Sequence, residues 1–113
     1  MKVRDIVEKF DLKVLTAPER LDVEVSGGYT SDLLSDVMAN SRPGNIWITL
    51  QTHQNIIAVA KLRGLAAIVL VNNRTPDEDT VKTAEQEQVP LLLSGDPAFQ
   101  IAGKLYLRLS QKD

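Results

Sequence analysis

The side chains able to do chemistry in this sequence gather in four short polar clusters. They are Gly27, Gly28, Tyr29, Thr30 and Ser31; then Gln51, Thr52 and His53; then Asn72, Asn73 and Arg74; and last Ser94, Gly95 and Asp96. Each cluster follows an apolar run and precedes a helical pattern. That is where a parallel strand hands over to a helix, and where the free N–H groups of the helix start point to the same edge of the sheet. Such a rim suits an anion or the polar part of a metabolite. The residues placed in a candidate ligand site are Gly27, Gly28, Thr30, Ser31, Gln51, Thr52, His53 and Asn72. No lysine is at hand, and Arg74 alone could add positive charge. The same residue types have a plainer use. Ser31, Thr52, Thr75 and Asp96 suit helix caps, and glycine and asparagine suit turns.

Catalysis finds little support. His53, the single histidine, stands at a helix start, where the dipole disfavours its charged form. A neutral imidazole could donate or accept a hydrogen bond, but no nucleophile–base–orienter set accompanies it. As a helix cap a histidine is not needed. With no cysteine in the chain, disulfides, thiol catalysis, thiolate metal sites and iron–sulfur clusters are excluded. Asp77, Glu78 and Asp79 fall in the first turn of a helix, where the dipole explains them better than a cation does. Gly27-Gly28 lacks the third glycine of a dinucleotide fingerprint. Gly103-Lys104 is followed by Leu105 rather than Ser or Thr, and Gly95 lies too far upstream for a phosphate-binding loop. The expectation is a non-enzyme with no cofactor and no metal.

The elements that must position these clusters follow from patterning. The chain has 113 residues, a formal net charge of -2 and 43% hydrophobic residues, which fits one domain over residues 1–113. Mixed charge and a sequence pI near 5.4 argue against a nucleic-acid binder. Charged residues interrupt the first ten positions, and no apolar run is long enough to span a bilayer. The chain reads as soluble and cytoplasmic, with no membrane partner.

Val3, Ile6, Val7 and Phe10 sit at helical spacing, and residues 13–15 form a short strand. Leu21, Val23 and Val25 alternate with Asp22 and Glu24, a half-buried strand predicted to end at Gly27-Gly28. Leu33, Leu34, Val37 and Met38 form a helix stripe behind Ser31. Residues 46–50, 66–71 and 89–93 read as strands. Helices are predicted from Thr52 to Gly64, from a capping box at Thr75-Pro76-Asp77-Glu78, and from Asp96-Pro97 onward. In the last helix Phe99, Ala102, Gly103 and Tyr106 share one face, and residues 110–113 are expected to fray. Trp47 is core or interface. Between residues 26 and 60 only Asp32, Asp36 and Arg42 carry charge, which marks either the buried centre of the sheet or a surface covered by a partner. The alternation of strand and helix predicts an α/β fold: a layered sandwich with a largely parallel sheet flanked by helices.

Two stretches carry a family resemblance. The segment Val25-Ser26-Gly27-Gly28-Tyr29-Thr30-Ser31-Asp32-Leu33-Leu34-Ser35-Asp36-Val37-Met38 resembles a strand–helix unit of the N-terminal domain of bacterial HPr kinase/phosphorylases. The stretch from Ile48-Thr49-Leu50-Gln51-Thr52-His53-Gln54-Asn55-Ile56, through Ala66-Ala67-Ile68-Val69-Leu70-Val71, to Val89-Pro90-Leu91-Leu92 looks like the related DRTGG domain. The eponymous Asp-Arg-Thr-Gly-Gly string is absent, and Val71-Asn72-Asn73 stands at the corresponding strand end. The resemblance implies a DRTGG-like accessory module that forms a homodimer, and the expected function is regulatory or partner-binding, with the identity of any protein partner unknown. The kinase activity of the larger family belongs to a separate phosphate-binding domain that this chain does not carry. The alternative is a sensor of a small anion or nucleotide at the strand-end rim. Arg42-Pro43-Gly44-Asn45-Ile46-Trp47-Ile48, with His53 and Gly64-Leu65-Ala66-Ala67-Ile68-Val69, is more faintly similar to the nucleotide-holding N-terminal domain of Mur ligases.

Overall fold

A computed structural model describes residues 1–111; the expected fraying of the C-terminus falls partly on Lys112 and Asp113, which lie outside the described residues. In chain order the elements are α1 (Val3–Lys9), β1 (Lys13–Val14), a single 3-10 turn (Pro18–Arg20), β2 (Gly27–Thr30), α2 (Leu34–Asn40) and β3 (Asn45–Thr49). They continue with α3 (Asn55–Arg63), β4 (Ala67–Leu70), α4 (Glu78–Glu87), β5 (Leu91–Leu93) and α5 (Ala98–Ser110). The expected α/β sandwich with a largely parallel sheet is borne out. The five strands stand in the order β1-β5-β4-β3-β2; β2 to β5 are mutually parallel, and β1 closes one edge antiparallel to β5.

The order from β2 to β5 never reverses. Parallel crossovers are almost always right-handed, so α2, α3 and α4 all fall on one face of the sheet. There Val37, Ile56, Ile57, Ala60 and Ala84 cover Trp47, Ile68, Leu70 and Leu91. On the other face α1 and α5 bring Val3, Ile6, Ile101 and Leu105 onto Ile46, Ile48, Ala67, Val69 and Leu92. Alternate residues of β3 and β4 thus serve opposite layers. Every residue of both strands is buried, which is why they read as continuous apolar runs. Trp47 is fully buried, so it belongs to the core. The low-charge middle of the sequence supplies both the buried strand β3 and the half-exposed edge strand β2.

Residues 21–25 do not form the expected sheet strand. Leu21 and Asp22 lie in the turn that follows the 3-10 segment, Glu24 makes only an isolated antiparallel bridge with Lys2, and the stretch bonds to the start of α1 instead. Val3 N donates to Val23 O at 3.0 Å, Arg4 N to Leu21 O at 2.9 Å, and Val25 N to Met1 O at 2.8 Å. The orphan N–H groups of a helix start take the carbonyls that a sheet partner would have used. Gly27 and Gly28 therefore open the sheet strand rather than end one, opposite Asn45 and Ile46 of β3. The helix stripes also shift. In α2 only Val37 is fully buried, while Leu33 and Met38 are exposed. In α5 the buried residues are Ile101 and Leu105, so the face shared by Phe99, Gly103 and Tyr106 points outward. At the end of α3, Gly64 takes the left-handed conformation (φ 66°) expected of a C-terminal cap, and its N–H meets the carbonyls of Ala60 and Lys61.

Candidate ligand site at the sheet edge

The rim at the carboxyl ends of the strands is held by its own residues. Asp32 Oδ1 accepts from Thr49 Oγ1 at 2.8 Å and from Leu50 N at 2.7 Å, and Asp32 O accepts from Gln51 Nε2 at 2.9 Å. Ser31 Oγ accepts from Leu33 N at 3.1 Å, while Ser31 O accepts from the indole N–H of Trp47 at 2.8 Å. Thr52 does not cap α3 with its side chain. Helix α3 starts two residues later, behind Gln54, and Thr52 O accepts from Thr80 Oγ1 at 2.7 Å and from Asp77 N at 3.2 Å. His53 does take a capping contact, contrary to expectation: its Nδ1 accepts from Asn55 N at 3.3 Å. The caps expected of Thr75 and Asp96 are replaced too. Helix α4 starts behind Asp77 and α5 behind Pro97, and the Asp96 carboxylate pairs with Lys104 at 3.0 Å.

Crevices in parallel sheets open where successive helices leave for opposite faces. Between β2 and β5 that happens once, at β4 and β5, since α4 and α5 lie on opposite sides of the sheet. The two loops at that point are bonded to each other. Asn72 N donates to Asp96 O at 2.9 Å, and Asn73 N donates to Ser94 O at 2.8 Å. Asn72 and Asn73 both take φ of 55°, a left-handed pair that asparagine tolerates. The turn aims both N–H groups at the neighbouring loop.

The eight candidate residues fall into two groups. Ser31, Gln51, Thr52, His53 and Asn72 stand along the rim, spread over three strand ends. Gly27, Gly28 and Thr30 face the other layer, where they line a cavity of ≈ 390 Å³ between β2 and α5, with Ile48 below and Ala102, Leu105 and Tyr106 as its far wall. No charged residue lines this cavity. It suits an apolar or aromatic group with hydrogen bonds to backbone, and it does not suit a polyanion. The close approach that makes the cavity shallow comes from Gly28. A β-carbon there would lie 2.9 Å from Leu105 Cδ2.

One titratable pair sits behind β2, on the α2 side. The Tyr29 hydroxyl donates to Asp36 Oδ1 at 2.7 Å, and Asn40 Nδ2 donates to the same oxygen at 2.8 Å. The bond to Asp36 raises the Tyr29 hydroxyl above its ordinary range. The same bond, helped by Asn40, holds the Asp36 carboxyl below the usual carboxylate range. The pair ties β2 to α2. Sequence reasoning missed both Asp36 and Asp32. Their only signal is their place in a stretch where few other charges occur. Among the described residues no cluster of three or more His, Asp or Glu is placed to hold a metal ion, and no helix is long and apolar enough to cross a membrane.

No family model matches the sequence, and no curated protein matches it. Solved structures do match. The regulatory region of Clostridium perfringens pyrophosphatase, comprising CBS and DRTGG domains and complexed with its activator diadenosine tetraphosphate, superposes with a TM-score of 0.72. The fold is DRTGG-like. At 13% identity the likeness covers 95% of this chain and 46% of that one, so the chain spans about half the length of the regulatory region. The DRTGG-like fold accommodates Gly27-Gly28 beneath α5 without the eponymous signature.

Proposed function

We propose that this chain is a non-catalytic regulatory module that acts as a homodimer and passes its state to a protein partner. The observation that carries the reading is the fold it shares with a regulatory region. Local chemistry supports it. The rim carboxylate of Asp32 is engaged by Thr49 and Leu50, and the Nδ1 of the single histidine is engaged by Asn55. A general acid or base needs a group free to meet substrate. The test is twofold. The purified chain should scatter light as about twice 12.5 kDa at micromolar concentration, and it should not turn over ATP. A monomer removes the dimer. ATP turnover that survives repurification and is lost on a point mutation in this chain removes the non-catalytic reading.

A second reading has one observation in its favour: the pyrophosphatase region was solved with diadenosine tetraphosphate bound. Here a nucleotide or small anion would be sensed, with base or ribose in the cavity under α5 and phosphate toward the rim. A thermal-shift series with phosphate, mononucleotides and diadenosine tetraphosphate separates the two. A bound ligand at a hundred times its Kd adds about 2.7 kcal/mol. If the rim takes part, His53→Ala weakens that shift by more than its loss of the Asn55 contact lowers the stability of the free protein, a loss of about 1 kcal/mol at most.

A further inference from the structure

The two edges of the sheet are treated differently. The β1 edge is short, two residues, and carries Lys13, a usual guard against unwanted strand pairing. The β2 edge has four residues, Gly-Gly-Tyr-Thr, with no charge and no proline. Ser31 N donates to Ile48 O at 3.2 Å, and side-to-side alternation then turns the N–H and C=O of Gly28 and Thr30 away from β3. Both residues are exposed. Above this edge α5 shows solvent a stripe of Phe99, Gly103 and Tyr106, with Phe99 87% and Tyr106 76% exposed. Packing within one copy does not require glycine at Gly103. A β-carbon there would meet nothing within 4 Å, yet glycine in a helix interior is costly relative to alanine.

We propose that two copies of the chain join edge to edge. Strand β2 pairs antiparallel with β2 of the second copy about a dyad at Tyr29, and α5 packs on its counterpart at Gly103. The inference rests on the homodimeric reading above and gives it a surface. The register is self-consistent. With Tyr29 on the dyad, Gly28 faces Thr30 of the other copy, and both pairs are of the hydrogen-bonded kind, in which each residue exchanges N–H and C=O. The helix spacing agrees. Helix α5 packs over β2 and β3, so its axis lies about half a strand spacing inside the edge. Two such offsets plus one gap of ~4.8 Å put the helices about 9.6 Å apart, within the 8–10 Å of packed helices. A small residue at the crossing permits that approach.

The chemistry selects a second copy over a charged partner. On a dyad any charge meets its own like, and neither the β2 edge nor the stripe carries one. Phe99 and Tyr106 supply about 300 Å² per protomer, half of the ~600 Å² each side contributes in the smallest stable interfaces. The exposed backbone of the four-residue strand edge adds to that.

The test compares Gly103→Glu, Thr30→Pro and, as a control, Leu62→Glu, which alters an equally exposed apolar residue (74%) on α3 across the sheet. Sedimentation should find the wild type and the control at about twice 12.5 kDa, and the two interface variants weakened roughly tenfold to a hundredfold in association. Hydrogen exchange reads the same contact without mutation: the Gly28 and Thr30 amides should become protected as protein concentration rises. A dimer that resists Gly103→Glu and leaves both amides unprotected overturns this interface and leaves the homodimer standing. A wild-type monomer overturns both. If Thr30→Pro fails to fold, Gly103→Glu and the exchange data decide.

Discussion

Leu105 of α5 lies on Gly28 of β2 so closely that a β-carbon at Gly28 would stand 2.9 Å from Leu105 Cδ2. The contact fixes the depth of α5 on the sheet and therefore the shape of the uncharged cavity between the two elements. Alanine at residue 28 needs only a shift at the far end of the Leu105 side chain. A branched residue has no such escape. Gly28→Val should cost about 1–3 kcal/mol by overpacking, read as a lower urea midpoint with an unchanged slope. An unchanged midpoint would mean that α5 floats on the sheet.

Asp32 fastens the loop after β2 to the end of β3. Removing its carboxylate leaves the Thr49 hydroxyl, on a residue 1% exposed, without its acceptor. Asp32→Ala should destabilise by about 1–2 kcal/mol, discounted for the exposed half of the site. Asp32→Asn keeps an acceptor oxygen and should recover most of the loss. Fluorescence of Trp47, whose indole bonds to the adjacent Ser31 carbonyl, reports the melting of this corner. Equal losses for both variants would assign the effect to charge rather than to the acceptor.

The Tyr29–Asp36 pair predicts a pH window. The folded-state pKa of Asp36 is depressed, so its contribution is present above the unfolded carboxylate value, about 3.9, and fades as pH falls through the folded value. The folded-state pKa of Tyr29 is raised, so its contribution is present below about 10 and is lost as pH rises through the folded value. Thermal melts of the wild type should therefore show a steeper acid limb than those of Asp36→Asn, and Tyr29→Phe should flatten both limbs. Superposable profiles for all three proteins would mean that the bond is absent in solution.

Gly103 gives a prediction of opposite sign. Its added β-carbon enters open space, and alanine is the better helix former. Gly103→Ala should raise the stability of the dilute chain by about 0.5–1 kcal/mol, measured by denaturation at a concentration too low for association. A loss instead would reveal a contact made by that face within a single copy.

What the sequence determined alone is the alternation of layers. Buried strands such as residues 46–49 and 67–70 are mostly apolar on both faces, α3 announces its end with Gly64 and α4 its start with an acidic first turn, so the α/β order was legible. Three things were not. Residues 21–25 alternate like a sheet strand, but their carbonyls were taken by the N–H groups of α1, a long-range competition that no local period encodes. Spacing put Phe99, Ala102, Gly103 and Tyr106 on one face of α5 but did not say which face turns inward: Ile101 and Leu105 hold the interior, with Leu105 seated over the bare backbone of Gly28. Ser31, Gln51, Thr52, His53 and Asn72 do follow strand ends, whereas Gly27 and Gly28 open β2; local spacing could not tell that Asp32 would reach Leu50 or that Asn72 would bond to Asp96. Those contacts depend on the order of strands in space. That order, unbroken from β2 to β5, put three helices on one face and left the opposite edge of the sheet open.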